Sequence, residues 1–120
     1  MTAGLLILAG LLSITVGASA GGNALSVSVS PTVSTAPATV RVKIHMEPHP
    51  DNRMLTVVTE SDAYYRGSSI PLEGEDSPTI LNLSYPGLPG GEYEVMCVVS
   101  DSAGHQRATA HVRLTVQSTP

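Results

Sequence analysis

Two alternating runs joined by a turn constrain this chain more than any other feature. Leu88 to Gly104 reads LPGGEYEVMCVVSDSAG, and Ala108 to Gln117 reads ATAHVRLTVQ. In the first run Tyr93, Val95, Cys97 and Val99 share one face of an extended chain. Ala110, Val112, Leu114 and Val116 do so in the second. Apolar residues at a period of two define a half-buried β-strand. The Asp101-Ser-Ala-Gly104 stretch between them is a hairpin turn, with Asp at its first position and Gly at its last.

The same reading extends upstream. Leu25–Ser30 alternates and is ended by Pro31; Val40–Met46 is the cleanest strand, with Val40, Val42, Ile44 and Met46 inward and Arg41, Lys43 and His45 outward. Residues 31–38 form a polar, proline-punctuated connection. Pro48 and Pro50 mark a loop, because proline cannot occupy a central strand. Arg53–Thr59 is more uniformly apolar and reads as a central strand. Tyr64–Leu72 is a short edge strand interrupted by Gly67 and Pro71, Glu73–Pro78 is an acidic loop, and Thr79–Tyr85 is a further strand with Leu81 and Leu83 inward. No helical periodicity emerges outside the N-terminal apolar segment, and no internal repeat or second domain.

The chain has 120 residues, with no Phe or Trp and only four Tyr, so its core is aliphatic. No Asp, Glu, Lys, Arg or His occurs before Arg41, and Thr2–Ala20 reads TAGLLILAGLLSITVGASA. The apolar centre Leu5–Val16 has signal-peptide length, and Ala18-Ser-Ala20 is a small-x-small cleavage site, although the basic residue typical of such a leader is missing. Residues 1–20 are therefore expected to be a signal peptide or, alternatively, an uncleaved anchor, and residues 21–120 one domain. The expected localisation is exported: periplasmic, cell-surface or extracellular. A formal charge of −4, with six cations dispersed along the chain, disfavours nucleic acid and offers no polybasic patch for a membrane. Membrane contact is expected only if the leader stays in place. The single cysteine, Cys97, rules out an intrachain disulfide and points inward.

Leu88-Pro-Gly-Gly-Glu-Tyr-Glu-Val resembles the entry to the sixth strand of fibronectin type III domains and of bacterial exported Ig-like modules of unassigned function. The resemblance implies an all-β, Ig-like Greek-key sandwich of about seven strands. It also implies a tyrosine corner, in which the Tyr93 hydroxyl bonds back to the chain just upstream. Antibody-type features are missing: there is no Trp, no Cys pair, and Tyr93 lies four positions before Cys97 rather than two. The resemblance carries no catalytic residue.

Several residue groups invite a chemical reading. His45 and His49, with Met46, Glu47 and Met54 near in sequence, have copper-type donors, but strand alternation and Pro48 set them apart; His111 belongs to another strand. Glu60, Asp62, Glu73, Glu75 and Asp76 lack calcium-loop spacing. Asp101, Ser102 and His105 read as a turn rather than a catalytic set, and no nucleophile elbow, zinc-helix or phosphate-loop motif occurs. Asn82-Leu-Ser84 matches a glycosylation sequon, relevant only on a eukaryotic secretory route. No enzyme, catalytic residue, metal or cofactor is expected.

The candidate binding residues are Tyr64, Tyr65 and Arg66, where an exposed tyrosine beside arginine is hot-spot chemistry. Against that, one tyrosine fills the core and Arg66 pairs with a surface carboxylate. The expected function is a non-catalytic exported module for protein–protein interaction at the cell envelope, using the Tyr64–Leu72 edge to accept a partner strand. A carbohydrate-binding or spacer domain and a periplasmic metal-binding protein are the alternatives.

Overall fold

A computed structural model of the chain describes residues 18–21 and 24–119. Among these described residues are nine strands: β1 (Ala18–Gly21), β2 (Leu25–Ser30), β3 (Val33–Thr35), β4 (Ala38–Met46), β5 (Met54–Ser61), β6 (Tyr64–Pro71), β7 (Ile80–Leu88), β8 (Gly91–Ser100) and β9 (Gln106–Gln117). One turn of 3-10 helix, Gly74–Asp76, interrupts the β6–β7 connection. The strands form two packed sheets. Sheet A has the order β1-β2-β4-β7 and sheet B the order β3-β9-β8-β5-β6. This is an all-β, Ig-like Greek-key sandwich.

Alternation builds each layer. On β4 burial switches strictly residue by residue, from Ala38 through Met46. Val27 and Val29 of β2 pair with Ile44 and Val42, so the buried side chains stand side by side on the inner face of sheet A. Across the interior, Leu55 and Val57 of β5 align with Val99 and Cys97 of β8, and Val95 of β8 with Val112 of β9. Burying a Val or Leu side chain contributes roughly 1.5–3 kcal/mol. The aliphatic interior thus stabilises the domain with no disulfide.

All seven anticipated strands form, and two short ones join them. β3 lies inside the stretch read as a polar connection. It pairs in parallel with the end of β9, Val33 opposite Thr115. Backbone bonds hold it: Thr115 N–H donates to Thr32 O (2.8 Å) and Ala36 N–H to Gln117 O (2.8 Å). With three residues and no buried side chain, β3 lacks any apolar alternation to betray it. β1 lines the other edge of β2, Ala20 opposite Val27. The leader read over residues 1–20 lies outside the described residues up to position 17, and its cleavage point after Ala20 falls within β1. β7 also outruns its expected end at Tyr85, continuing through Pro86 and Gly87 to Leu88.

The two ends of sheet B are hairpin turns. In the β8–β9 turn Gly104 N–H donates to Asp101 O (3.1 Å), and Gly104 has φ +86°, a conformation L side chains rarely adopt. Tyr93 forms the tyrosine corner: its hydroxyl donates to Pro89 O at 2.6 Å. That bond fixes the connection by which the chain leaves sheet A at β7 and enters sheet B at β8.

Candidate functional site

Among the described residues β6 is the last strand of sheet B and pairs only with β5. Its residues alternate about the sheet. Tyr65, Gly67, Ser69 and Pro71 lie opposite Glu60, Val58, Thr56 and Met54, on the outward face. Tyr64, Arg66, Ser68 and Ile70 lie opposite Ser61, Thr59, Val57 and Leu55, on the inward face. The three candidate binding residues are thereby divided between two faces, as any three consecutive residues of a strand must be.

Tyr64 is half-buried and meets the Tyr93 ring edge-on at 5.7 Å and 62°. Arg66 does not reach a carboxylate as one sequence reading supposed. Its guanidinium carbon sits 5.6 Å from the centre of the Tyr85 ring, a cation–π contact that closes the side of the sandwich between β6 and β7. Tyr65 alone turns outward, 69% exposed. A Cβ built on Gly67 would lie 3.2 Å from its hydroxyl, so the tyrosine ring occupies the strip above the glycine. Tyr65 is thus a large amphipathic side chain held along an open edge.

The other sequence candidates are dispersed. His45 and Met46 point to opposite faces of β4, Met54 belongs to sheet B, and His111 on β9 contacts Glu94 (3.3 Å). Among the described residues no three His, Cys, Asp or Glu side chains come close enough to hold a metal ion. Glu60 and Asp62 sit at the β5–β6 turn, whereas Glu73, Glu75 and Asp76 follow the far end of β6; strand length separates the two groups. Asn82 is exposed on β7. Cys97 is fully buried, and burial pushes its thiol up to about 12, which keeps it neutral and unreactive. Asp101 accepts the backbone N–H groups of His105 and Ala103, each at 2.9 Å. The His105 bond most of all holds its carboxyl below the usual range, with the His105 ring adding to it.

A cleft of about 100 Å³ opens where Glu47, His49 and Asn52 meet Val99 and Arg107. Sequence reading passed over Asn52, which is 6% exposed. Its amide donates to Glu47 O (2.9 Å) and accepts from Arg107 Nε (3.3 Å). These bonds tie the Pro48–Asn52 loop to the start of β9. Both ends of the Asn52 amide are thus satisfied within the cleft.

The outward face of sheet A was also not singled out by motif. β4 lies between β2 and β7, and its outward Arg41, Lys43 and His45 are all exposed. Register places Ser30 and Ser84 on either side of Arg41, Ser28 and Asn82 beside Lys43, and Ser26 and Ile80 beside His45. The outward face of sheet B carries opposed charges instead: Glu94 contacts His111 at 3.3 Å and Arg113 at 3.7 Å.

No protein-family model matches this chain, and no curated protein matches it in sequence. Solved structures do share its fold. A superoxide reductase (neelaredoxin) from Ignicoccus hospitalis superposes with a TM-score of 0.57 at 10% identity, covering 82% of this chain and 83% of its own. The PKD domain of an M14-like peptidase from a Thermoplasmatales archaeon gives 0.56 at 16% identity, covering 81% and 96%. The soluble domain of PmoD from a Methylocystis species gives 0.55 at 12% identity, covering 87% and 98%. These are varied Ig-like sandwiches, and at such identity they share architecture alone with this chain.

Proposed function

We propose that this chain is a non-catalytic Ig-like module, exported to the cell envelope, that binds another protein along its β6 edge. The observation that carries the reading is β6 itself: an edge strand paired on one side only, with Tyr65 69% exposed beside its free edge. An open edge offers unpaired backbone donors and acceptors to an incoming strand, and its side chains supply selectivity. Pro71 removes a donor only at the last position of the strand. Tyrosine is a frequent anchor in such contacts because it buries much area with few rotatable bonds.

Photocrosslinking in cells tests this reading, with a photoreactive residue at Ser69 on β6 and a control at Thr109 on β9. A single dominant protein captured from Ser69 and not from Thr109 supports the edge. If Tyr65 anchors that partner, Tyr65→Ala weakens binding by about 2 kcal/mol, roughly thirtyfold. Identical products from both positions, or none from Ser69, would sink the reading. The mass of the recovered chain reports whether the leader is removed at Ala20.

A further inference from the structure

We propose that the outward face of sheet A binds linear anionic polysaccharide, a role separate from the β6 edge. Arg41, Lys43 and His45 form a row along β4, successive members about 6.8 Å apart at strand spacing. Their cross-strand neighbours are Ser30, Ser28 and Ser26 on β2 and Ser84, Asn82 and Ile80 on β7. None of these six positions carries a charge. The first acidic residue along the row is Glu47, just past the end of β4.

A merely solvated sheet face tends to set opposite charges across from one another, since such pairs stabilise the ladder. Sheet B does so with Glu94, His111 and Arg113. Sheet A instead aligns cations of one sign in a chain whose net charge is −4. Small flanking side chains leave the long Arg and Lys unshielded and keep the face flat. The hydroxyls of Ser26, Ser28 and Ser84 and the Asn82 amide are positioned to bond sugar hydroxyls, while the cations take carboxylate or sulfate groups.

Other polyanions fit less well. Single-stranded nucleic acid is held by aromatic stacking as well as charge, and the outward positions of sheet A hold no aromatic residue. Anionic membranes are typically bound by clusters of about four to eight Lys or Arg, and this row has two.

The test uses the chain as expressed and purified, applied at low salt to immobilised dextran sulfate, to immobilised polygalacturonate and to neutral dextran. The expected result is retention on the anionic supports, not on dextran, with elution by salt. Retention by only one of the two supports keeps the proposal and names the anion, sulfate or carboxylate. The double variant Arg41→Ser/Lys43→Ser should elute at clearly lower salt, its log–log salt slope shallower by about one per cation removed. Arg113→Ser on sheet B should elute like the parent. Both variants change exposed positions, and matching thermal melts establish that they fold. No retention on either anionic support, or retention unaltered in the double variant, overturns the proposal. So does equally strong, equally Arg41- and Lys43-dependent binding to phosphatidylglycerol vesicles or single-stranded DNA, which would make the face a general anion surface.

Discussion

The two sheets are alike inside and unlike outside. Away from the β6 and β7 edges their inner faces follow one rule, with mainly aliphatic residues at every second position and exposures of a few percent. Their outer faces follow two. Both leave apolar side chains partly exposed, Ile80 at 45% on sheet A and Met96 at 42% and Tyr65 at 69% on sheet B, but sheet A sets Arg41 and Lys43 between Ser and Asn residues, whereas sheet B sets Glu94 against Arg113. Burial dictates the inner positions, because an unpaired polar group there is costly. Outer positions carry no such demand, so a departure from the mixed, neutralised surface is where function can be read.

The sharpest way to break this comparison is one strand with two neighbouring substitutions. Ile44 on β4 is fully buried, and Lys43 beside it is exposed. Ile44→Ser should cost about 3–5 kcal/mol, from lost burial, a cavity and a hydroxyl stranded among aliphatics. Lys43→Ser should stay within about 0.5 kcal/mol in stability while weakening polyanion retention. Denaturant unfolding of both variants checks the pair. Similar losses would mean that the outer face of β4 is structural and not free.

Much of this inside–outside division was legible in the sequence. Alternation alone placed Val40 to Met46, Tyr93 to Val99 and Ala110 to Val116 correctly, and the Leu88–Val95 run anticipated the Tyr93–Pro89 hydrogen bond. What escaped depends on contacts distant in sequence. β3 has no side-chain pattern because its bonds to β9 are made by backbone across some eighty residues. The seat of Arg66 over Tyr85 depends on how the edges of two sheets approach each other. The cation row could be placed outward from its own strand, but its lack of counter-charge follows from the register of β2 and β7, which no local pattern encodes. Of the proposed binding residues Tyr64, Tyr65 and Arg66, only Tyr65 lies on the outward face, so the proposal falls to it alone.

Sheet B can be sharpened from within by pH. Burial raises the Cys97 thiol from 9.0 to about 12. A raised acid pKa favours the protonated form in the fold, so the native state holds a proton that the unfolded chain releases above pH 9. Stability therefore falls as pH rises from 9 towards 12 and is unaffected below 9. At pH 10 the loss is about 1.4 kcal/mol. The quantity to measure is the difference between the parent and Cys97→Ala across pH 7–10. A parallel decline in both would remove Cys97 as the cause. Tyr93→Phe is a smaller perturbation, about 1 kcal/mol, since Pro89 is exposed and water can replace the lost donor. Its loss should appear in equilibrium unfolding without altering polyanion retention, because the bond anchors the crossing between sheets rather than either outer face.

The smallest effect on stability bears most directly on why the outer faces differ. Glu94 stands between His111 and Arg113 on sheet B, at 3.3 and 3.7 Å. These pairs are solvent-exposed to different degrees, and exposed ion pairs contribute roughly 0–1 kcal/mol. Glu94→Gln should therefore change stability by less than about 0.5 kcal/mol. Its effect on binding is the informative part. If counter-charge is what silences Arg113 on sheet B, then Glu94→Gln frees it and should lengthen retention on dextran sulfate at low salt. That gain should survive in the Arg41→Ser/Lys43→Ser background, since the two faces lie on opposite sides of the sandwich. If retention does not change, local neutralisation is not what distinguishes the two faces. The difference would then rest on the small cross-strand neighbours, Ser30, Ser28, Ser84 and Asn82, that β2 and β7 set beside Arg41 and Lys43, whereas Arg113 and His111 face Glu94 and Met96.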